Sequence, residues 1–183
     1  MTFTIDQEKE MVRLYGQPDR LTTIQEMTPE GMNIVRSSMK NGRAHDITLY
    51  IGKDGGYIFI AKPSYPEGLF RAPSGGILPG EDFEAGSKRE ALEETGLSIE
   101  LDRYILRIDV RFQCHEDYID WTSHVFTARH IDGEISPKDK GEIREARVVG
   151  REELPGLIDL MANSGIGGLI YRAYLTRETE KRL

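Results

Sequence analysis

The stretch that most constrains this chain is Gly75–Leu97, GGILPGEDFEAGSKREALEETGL. Pro79-Gly80 makes a tight turn, Asp82 is placed to cap a helix, and Gly96 after Thr95 supplies its left-handed stop. The spacing therefore predicts a helix over 83–95 that is fixed at both ends. Glu90, Glu93 and Glu94 fall within five residues of it, on an arc of about 100°. Like charges at i,i+3 and i,i+4 repel, and a divalent cation would turn that repulsion into a hard-oxygen site. Ala85 and Leu92 fall on roughly the opposite side and are assigned to the core. Arg89, beside Glu90 and four residues before Glu93, is placed to orient carboxylates.

The flanks read as a mixed α/β (α+β) domain. Residues 46–63 form a hairpin around Asp54-Gly55-Gly56. Residues 63–74 carry Pro63, Pro66, Gly68 and Pro73 and make an irregular loop. Leu101–Cys114 and Tyr118–His130 alternate as strands, 132–142 is turn-rich, and Glu142–Val149 is a short strand. Residues 151–182 are helical with a break at Asn163–Gly168. Residues 1–43 read as a helical N-terminal extension, with Asp6 as a cap, Gly16 and Pro18 ending the first helix, and Thr28-Pro29 opening the second. In that second helix Met32, Val35 and Met39 share a face, Arg36, Lys40 and Arg43 form a solvated one, and Asn41-Gly42 stops it. Residues 44–183 form the main domain, with at least five strands, and no regular βαβ alternation.

Charge and cysteine content narrow the function. A net charge of −7 argues against bulk nucleic-acid binding and leaves room for a local basic pocket or metal-bridged binding of a phosphate. The single cysteine, Cys114, is read as a buried thiol that cannot form an intrachain disulfide, which points to a reducing cytoplasm. No apolar run is long enough for a membrane span, and the first ten residues lack a signal-peptide core.

The central stretch is similar to the signature of the Nudix hydrolases, G-x5-E-x7-R-E-U-x-E-E-x-G-U, through Gly75, Glu81, Arg89, Glu90, Ala91, Glu93, Glu94, Gly96 and Leu97. Ala91 is smaller than the usual aliphatic there. The resemblance implies an αβα sandwich with a mixed sheet, and hydrolysis of a nucleoside diphosphate linked to another group X. It also implies Mg2+ or Mn2+ held by Glu90, Glu93, Glu94 and the Gly75 carbonyl, with Glu81, Arg89 and Gly96 supporting the loop and helix. A carboxylate must act as base. Glu142 is favoured over Glu145 in the later loop, and Glu90 is the alternative within the signature. A non-catalytic module that binds a nucleotide metabolite is the competing reading, and the intact acidic set stands against it. Isomerase chemistry on an isoprenyl diphosphate would need a cysteine over an alkene, and nothing near Cys114 suggests such a site.

Substrate selection is less constrained. Pro73-Ser74-Gly75 resembles the Pro-Ala-Gly of ADP-sugar and ADP-ribose pyrophosphatases, but Ser98–Gln113 has no proline of the kind associated with ADP-ribose selectivity. A small-molecule nucleotide needs stacking partners and cations. Phe70, Tyr118 and Trp121, with Tyr65, are the stacking candidates, and Arg71 and Arg111 the clamps. His115 and His124 are not needed for the chemistry. Many relatives are dimers, so the N-terminal helices are candidates for a homodimer interface.

Overall fold

The computed structural model describes residues 5–39 and 42–183. Its helices are α1 (Ile5–Tyr15), α2 (Pro29–Ser38), α3 (Phe83–Thr95), α4 (Leu154–Ala162) and α5 (Gly167–Glu180). Its strands are β1 (Asp19–Glu26), β2 (His45–Lys53), β3 (Gly56–Ala61), β4 (Ser74–Gly75), β5 (Ser98–Cys114), β6 (Asp117–Asp132) and β7 (Glu145–Val149). The sheet runs β1-β5-β6-β2-β3-β7, with β4 paired to β2. The β1–β5 and β6–β2 pairs are parallel and the rest antiparallel, so the sheet is mixed.

Two apolar layers cover its faces. Met11 of α1 and Phe83 and Ala91 of α3 pack on Ile47, Leu49 and Phe126. Met32 of α2, with Leu154, Leu157, Tyr171 and Leu175 of α4 and α5, packs on Tyr50, Phe59, Ile108 and Val125. Alternate residues of each strand point to opposite faces, so β6 sends Trp121 and Val125 one way and His124 and Phe126 the other. This is the expected αβα sandwich.

Local signals explain most boundaries. Asp54 and Gly55 both sit at positive φ, which gives the tight β2–β3 turn its twist. The Thr28 side chain accepts the Gly31 N–H and Pro29 opens α2. Gly16, at φ +92°, closes α1. Asp6 lies within the first turn of α1, so it favours the helix N-terminus by charge and is not its cap. The larger correction is β1, which stands inside the stretch read as helical. Leu21, Thr22, Thr23 and Ile24 are poor helix formers in sum, and eight residues pair in parallel with β5. The expected stop at Asn41 and the solvated Lys40 lie outside the described residues.

The β2–β6 register places His45 opposite Thr122 and Ile47 opposite His124. The two imidazoles come within 6.1 Å of each other beneath the sheet layer. Tyr104 Oη lies 2.6 Å from His124 Nδ1. Burial pulls both imidazoles down, His45 to about 4 and His124 to about 3. Their folded values lie below the ordinary 6.5, so the stability that comes from keeping them neutral is complete above pH 6.5 and is lost as pH falls toward about 4 for His45 and about 3 for His124. Each imidazole contributes a slope of up to about 1.4 kcal/mol per pH unit in that window. Urea unfolding from pH 7 to pH 4.5 will show this slope. His124→Gln will reduce it, and an unchanged slope would refute the assignment.

Candidate active site

The helix that carries the carboxylates is defined locally. Asp82 Oδ2 accepts the Ala85 N–H at 3.1 Å. Gly96, at φ +82°, donates to the Leu92 carbonyl at 2.9 Å. The face turned to the protein is Phe83, Gly86, Ser87, Ala91, Glu94 and Thr95. Ala85 and Leu92, expected in the core, are exposed. The reason is steric: Ala91 packs with Ile47, Leu49 and Phe126 of the sheet, and Gly86 lets Ile77 and Glu81 of the preceding loop lie directly on the helix, which leaves the acidic edge half inside and Leu92 outside. The small Ala91 of the signature belongs to this seam.

The three glutamates occupy different environments. Glu94 is only 5% exposed. Its Oε2 accepts the Ser74 N–H at 2.8 Å, and its Oε1 lies 3.6 Å from the Arg71 guanidinium. Burial pushes its pKa up, against the pull of Arg71. Glu90 accepts the Gly76 N–H at 3.2 Å, and burial raises its pKa as well. Glu93 is the solvent-facing member, with about half its side chain exposed.

Arg89 holds this set to the preceding loop. It makes a two-pronged contact with Glu81 at 2.8 and 2.9 Å, donates to the Gly76 carbonyl at 2.9 Å, and reaches Glu90 at 2.9 Å and Glu93 at 3.2 Å. Glu81 also accepts the Leu78 N–H at 2.9 Å, and the bonds from Arg89 hold its carboxyl below the usual range. Gly75 has no room for a side chain, because a Cβ there would fall 1.9 Å from Glu90 Cδ. The loop backbone thus lies directly on the carboxylates.

Glu90, Glu93 and Glu94 face a cavity of about 390 Å3 whose other wall is Lys138, Asp139, Glu142 and Ile143. The loop that carries this wall is fixed to the end of α3. The Ser136 N–H donates to the Thr95 carbonyl and the Lys138 N–H to the Glu93 carbonyl, both at 2.9 Å. These amides satisfy carbonyls that a helix end leaves without partners. Glu142 was expected at the start of a strand, but β7 begins at Glu145. Glu142 sits in the turn before it, its N–H bonded to Asp139 and its carboxylate 3.0 Å from Lys62 Nζ. Glu145 does not line the cavity. Lys138 and Asp139 were not anticipated, and their only signal was the polar run up to Glu142.

The proposed substrate contacts divide. Arg71 and Phe70 are buried behind the signature loop, at 5% exposure each. Arg147 lies over the Phe70 ring at 4.6 Å. Arg111 pairs with Asp120 at 2.7 and 3.0 Å and lies over the exposed Tyr118. Trp121 is buried, and its indole N–H donates to Asp46 at 2.9 Å. Arg111 and Trp121 line a separate cavity of about 550 Å3 that also has Arg107, Asp109, His45 and His124 in its wall. Cys114 is half-buried at the end of β5. His124 is a core residue, and His115 occupies the β5–β6 turn at φ +56°.

The donor set beside the acidic cavity is all oxygen, which suits a hard divalent cation such as Mg2+ or Mn2+ better than a thiophilic one. As they stand, Arg89, Arg71 and Lys62 interleave the carboxylates, and among the described residues no three acidic groups close on a single point. Glu93 is exposed, so turning it from Arg89 toward an ion costs little.

A carboxylate-bearing helix, bound through arginine to a glycine-rich loop and laid on a mixed sheet between helices, defines an αβα class with an acidic cavity at the helix edge. Comparison with known sequences sets the family: the NUDIX domain model matches residues 41–167, and the chain belongs to that family. The oxidized purine nucleoside triphosphate hydrolase of Mus musculus is 28% identical over 106 residues, 58% of this chain and 65% of that enzyme. The match therefore spans just under two thirds of the mouse protein. The RNA pyrophosphohydrolase of Erythrobacter litoralis (strain HTCC2594) is 33% identical over 120 residues, 56% of this chain and 73% of the relative. Among solved structures, a NUDIX hydrolase from Nitrosomonas europaea superposes with a TM-score of 0.53 at 20% identity, over 76% of this chain and 90% of that one, and shares its fold.

Proposed function

We propose that the chain is a Mg2+- or Mn2+-dependent hydrolase that cleaves a pyrophosphate bond in a nucleoside diphosphate joined to another group, such as an NDP-sugar or ADP-ribose. The observation that carries this reading is the meeting of Glu90, Glu93 and Glu94 with Asp139 and Glu142 across one cavity. Glu90, Glu93, Glu94 and the Gly75 carbonyl would hold the ion. When bound, the ion neutralises the pyrophosphate oxygens and lowers the pKa of water. Glu142 is assigned as the base that takes the proton of the attacking water. Its carboxylate lies 3.0 Å from Lys62 Nζ and is more than half exposed, so it stands open to solvent. Arg89 and Glu81 keep the loop and helix in register. One sequence relative is named for nucleoside triphosphates and the other for pyrophosphate hydrolysis on RNA, so nucleoside triphosphates belong beside NDP-X compounds and dinucleoside polyphosphates as test substrates.

The same reading takes residues 44–183 as the hydrolase unit and 1–43 as an N-terminal extension that adds β1 to the sheet and takes part in a homodimer. It places the protein in the cytoplasm. No helix among the described residues is long and apolar enough to cross a membrane.

The test is a substrate panel with Mg2+ and Mn2+ compared. The expected result is metal-dependent release of a nucleoside monophosphate. Glu142→Gln should lower kcat by about 10^2- to 10^4-fold with little change in KM. If Glu142→Gln keeps its kcat and Glu90→Gln loses it while still binding Mn2+, the base is Glu90. A panel that stays blank with either metal overturns the hydrolase reading.

A further inference from the structure

Arg71 has the charge of a phosphate clamp and the surroundings of an internal brace. It stands in the loop before β4, and its backbone is locked to β3 by reciprocal bonds with Ile60 at 2.7 and 2.9 Å. Its side chain is 6% exposed. Nε donates to Tyr65 Oη at 2.8 Å, and Nη1 donates to the Ala72 carbonyl at 2.7 Å and to Ser74 Oγ at 2.9 Å. Nη2 faces Glu94 Oε1 at 3.6 Å. The fork is therefore filled by protein groups and turned toward a carboxylate, which leaves little of it for a substrate phosphate.

Glu94 in turn is held from two sides, by the Ser74 N–H on Oε2 and by Arg71 on Oε1. A carboxylate this buried turns toward solvent unless a cation and a donor fix it. Tyr65 completes the arrangement. Its hydroxyl sets the plane of the Arg71 guanidinium, and its carbonyl accepts Arg144 Nη1 at 3.1 Å. Arg144 lies two residues beyond Glu142, on the loop that forms the other wall of the cavity. One run of contacts, Arg144–Tyr65–Arg71–Glu94, thus joins the two walls behind the site.

We propose that Arg71 and Tyr65 are positioning residues that hold Glu94 in its ion-binding orientation, and that Arg71 does not contact substrate. The proposal rests on the metal-dependent reading above. Outer-sphere partners of metal ligands are worth about 10- to 100-fold in metal affinity when removed.

The experiment measures Mn2+ binding to the full chain by electron paramagnetic resonance, with no substrate present, alongside KM for the best substrate at saturating Mn2+. Arg71→Met should weaken Mn2+ binding about 10- to 100-fold and Arg71→Lys by less, because an ammonium restores the charge but not the fork. Tyr65→Phe, which removes one hydroxyl and keeps the ring, should weaken it toward the low end of the same range. It carries the test if Arg71→Met does not fold. KM should stay unchanged in each variant once Mn2+ is saturating. A raised KM with normal Mn2+ affinity would make Arg71 a substrate clamp and overturn the proposal, as would Mn2+ binding that none of the variants alters. Wild-type protein that neither binds Mn2+ nor hydrolyses any substrate would instead remove the reading beneath it.

Discussion

Glu94→Gln is expected to abolish nearly all hydrolysis, by at least about 10^3-fold, or roughly 4 kcal/mol of transition-state stabilisation, while leaving the protein folded. Its effect on stability separates function from packing. Burial raises the Glu94 pKa in spite of Arg71, so the fold holds this carboxylate at a cost. A neutral amide of the same shape removes that cost and leaves Arg71 without its charge partner. These effects oppose each other, so the metal-free melting temperature should move by only a few degrees. The decisive measurement is the melting temperature with and without Mg2+ or Mn2+. An ion that binds only the folded state raises it. That gain should appear in the wild type and vanish in the variant. A variant that keeps both turnover and the metal-dependent gain would show that Glu94 is not a ligand.

The sequence disclosed the parts of this site that are built from near neighbours. Both ends of α3 and the contacts of Arg89 with Glu81 and the Gly76 carbonyl follow from residues no more than fourteen apart. What it hid depends on contacts across the chain. Apolarity points Ala85 and Leu92 inward, whereas the buried face of α3 consists of Phe83, Gly86, Ser87, Ala91, Glu94 and Thr95. Arg71 reads as a clamp by charge alone. Its burial comes from the packing of residues 65–74 against β3, which no local spacing encodes. β1 lies in a stretch whose neighbours are helices, and it becomes a strand by pairing with β5, more than eighty residues downstream. Glu142 could be singled out, but Asp139 beside it becomes visible only when the 133–143 loop is bonded to the end of α3.

That bonding makes Gly96→Ala the second large effect. Gly96 sits at φ +82°, a conformation that costs alanine about 1 kcal/mol. The larger penalty is steric. A Cβ there would fall 2.4 Å from the Ser136 carbonyl oxygen and 2.8 Å from that of Glu134. Both are backbone atoms, so no rotamer change relieves the contact, and the loop itself must move. Doing so breaks the hydrogen bonds that the Ser136 and Lys138 N–H groups donate to the Thr95 and Glu93 carbonyls of α3. A destabilisation of about 2–4 kcal/mol is expected, which for a chain of this size lowers the melting temperature by roughly 5–15 °C. The same displacement carries Asp139 and Glu142 away from Glu90 and Glu94. At a temperature where the variant is fully folded, kcat should therefore fall by about 10-fold or more, while Mn2+ affinity, which we assign to Glu90, Glu93, Glu94 and the Gly75 carbonyl, should change much less. A variant that is destabilised but keeps its kcat would mean that the 133–143 loop contributes only to stability, and would move the base from Glu142 to Glu90.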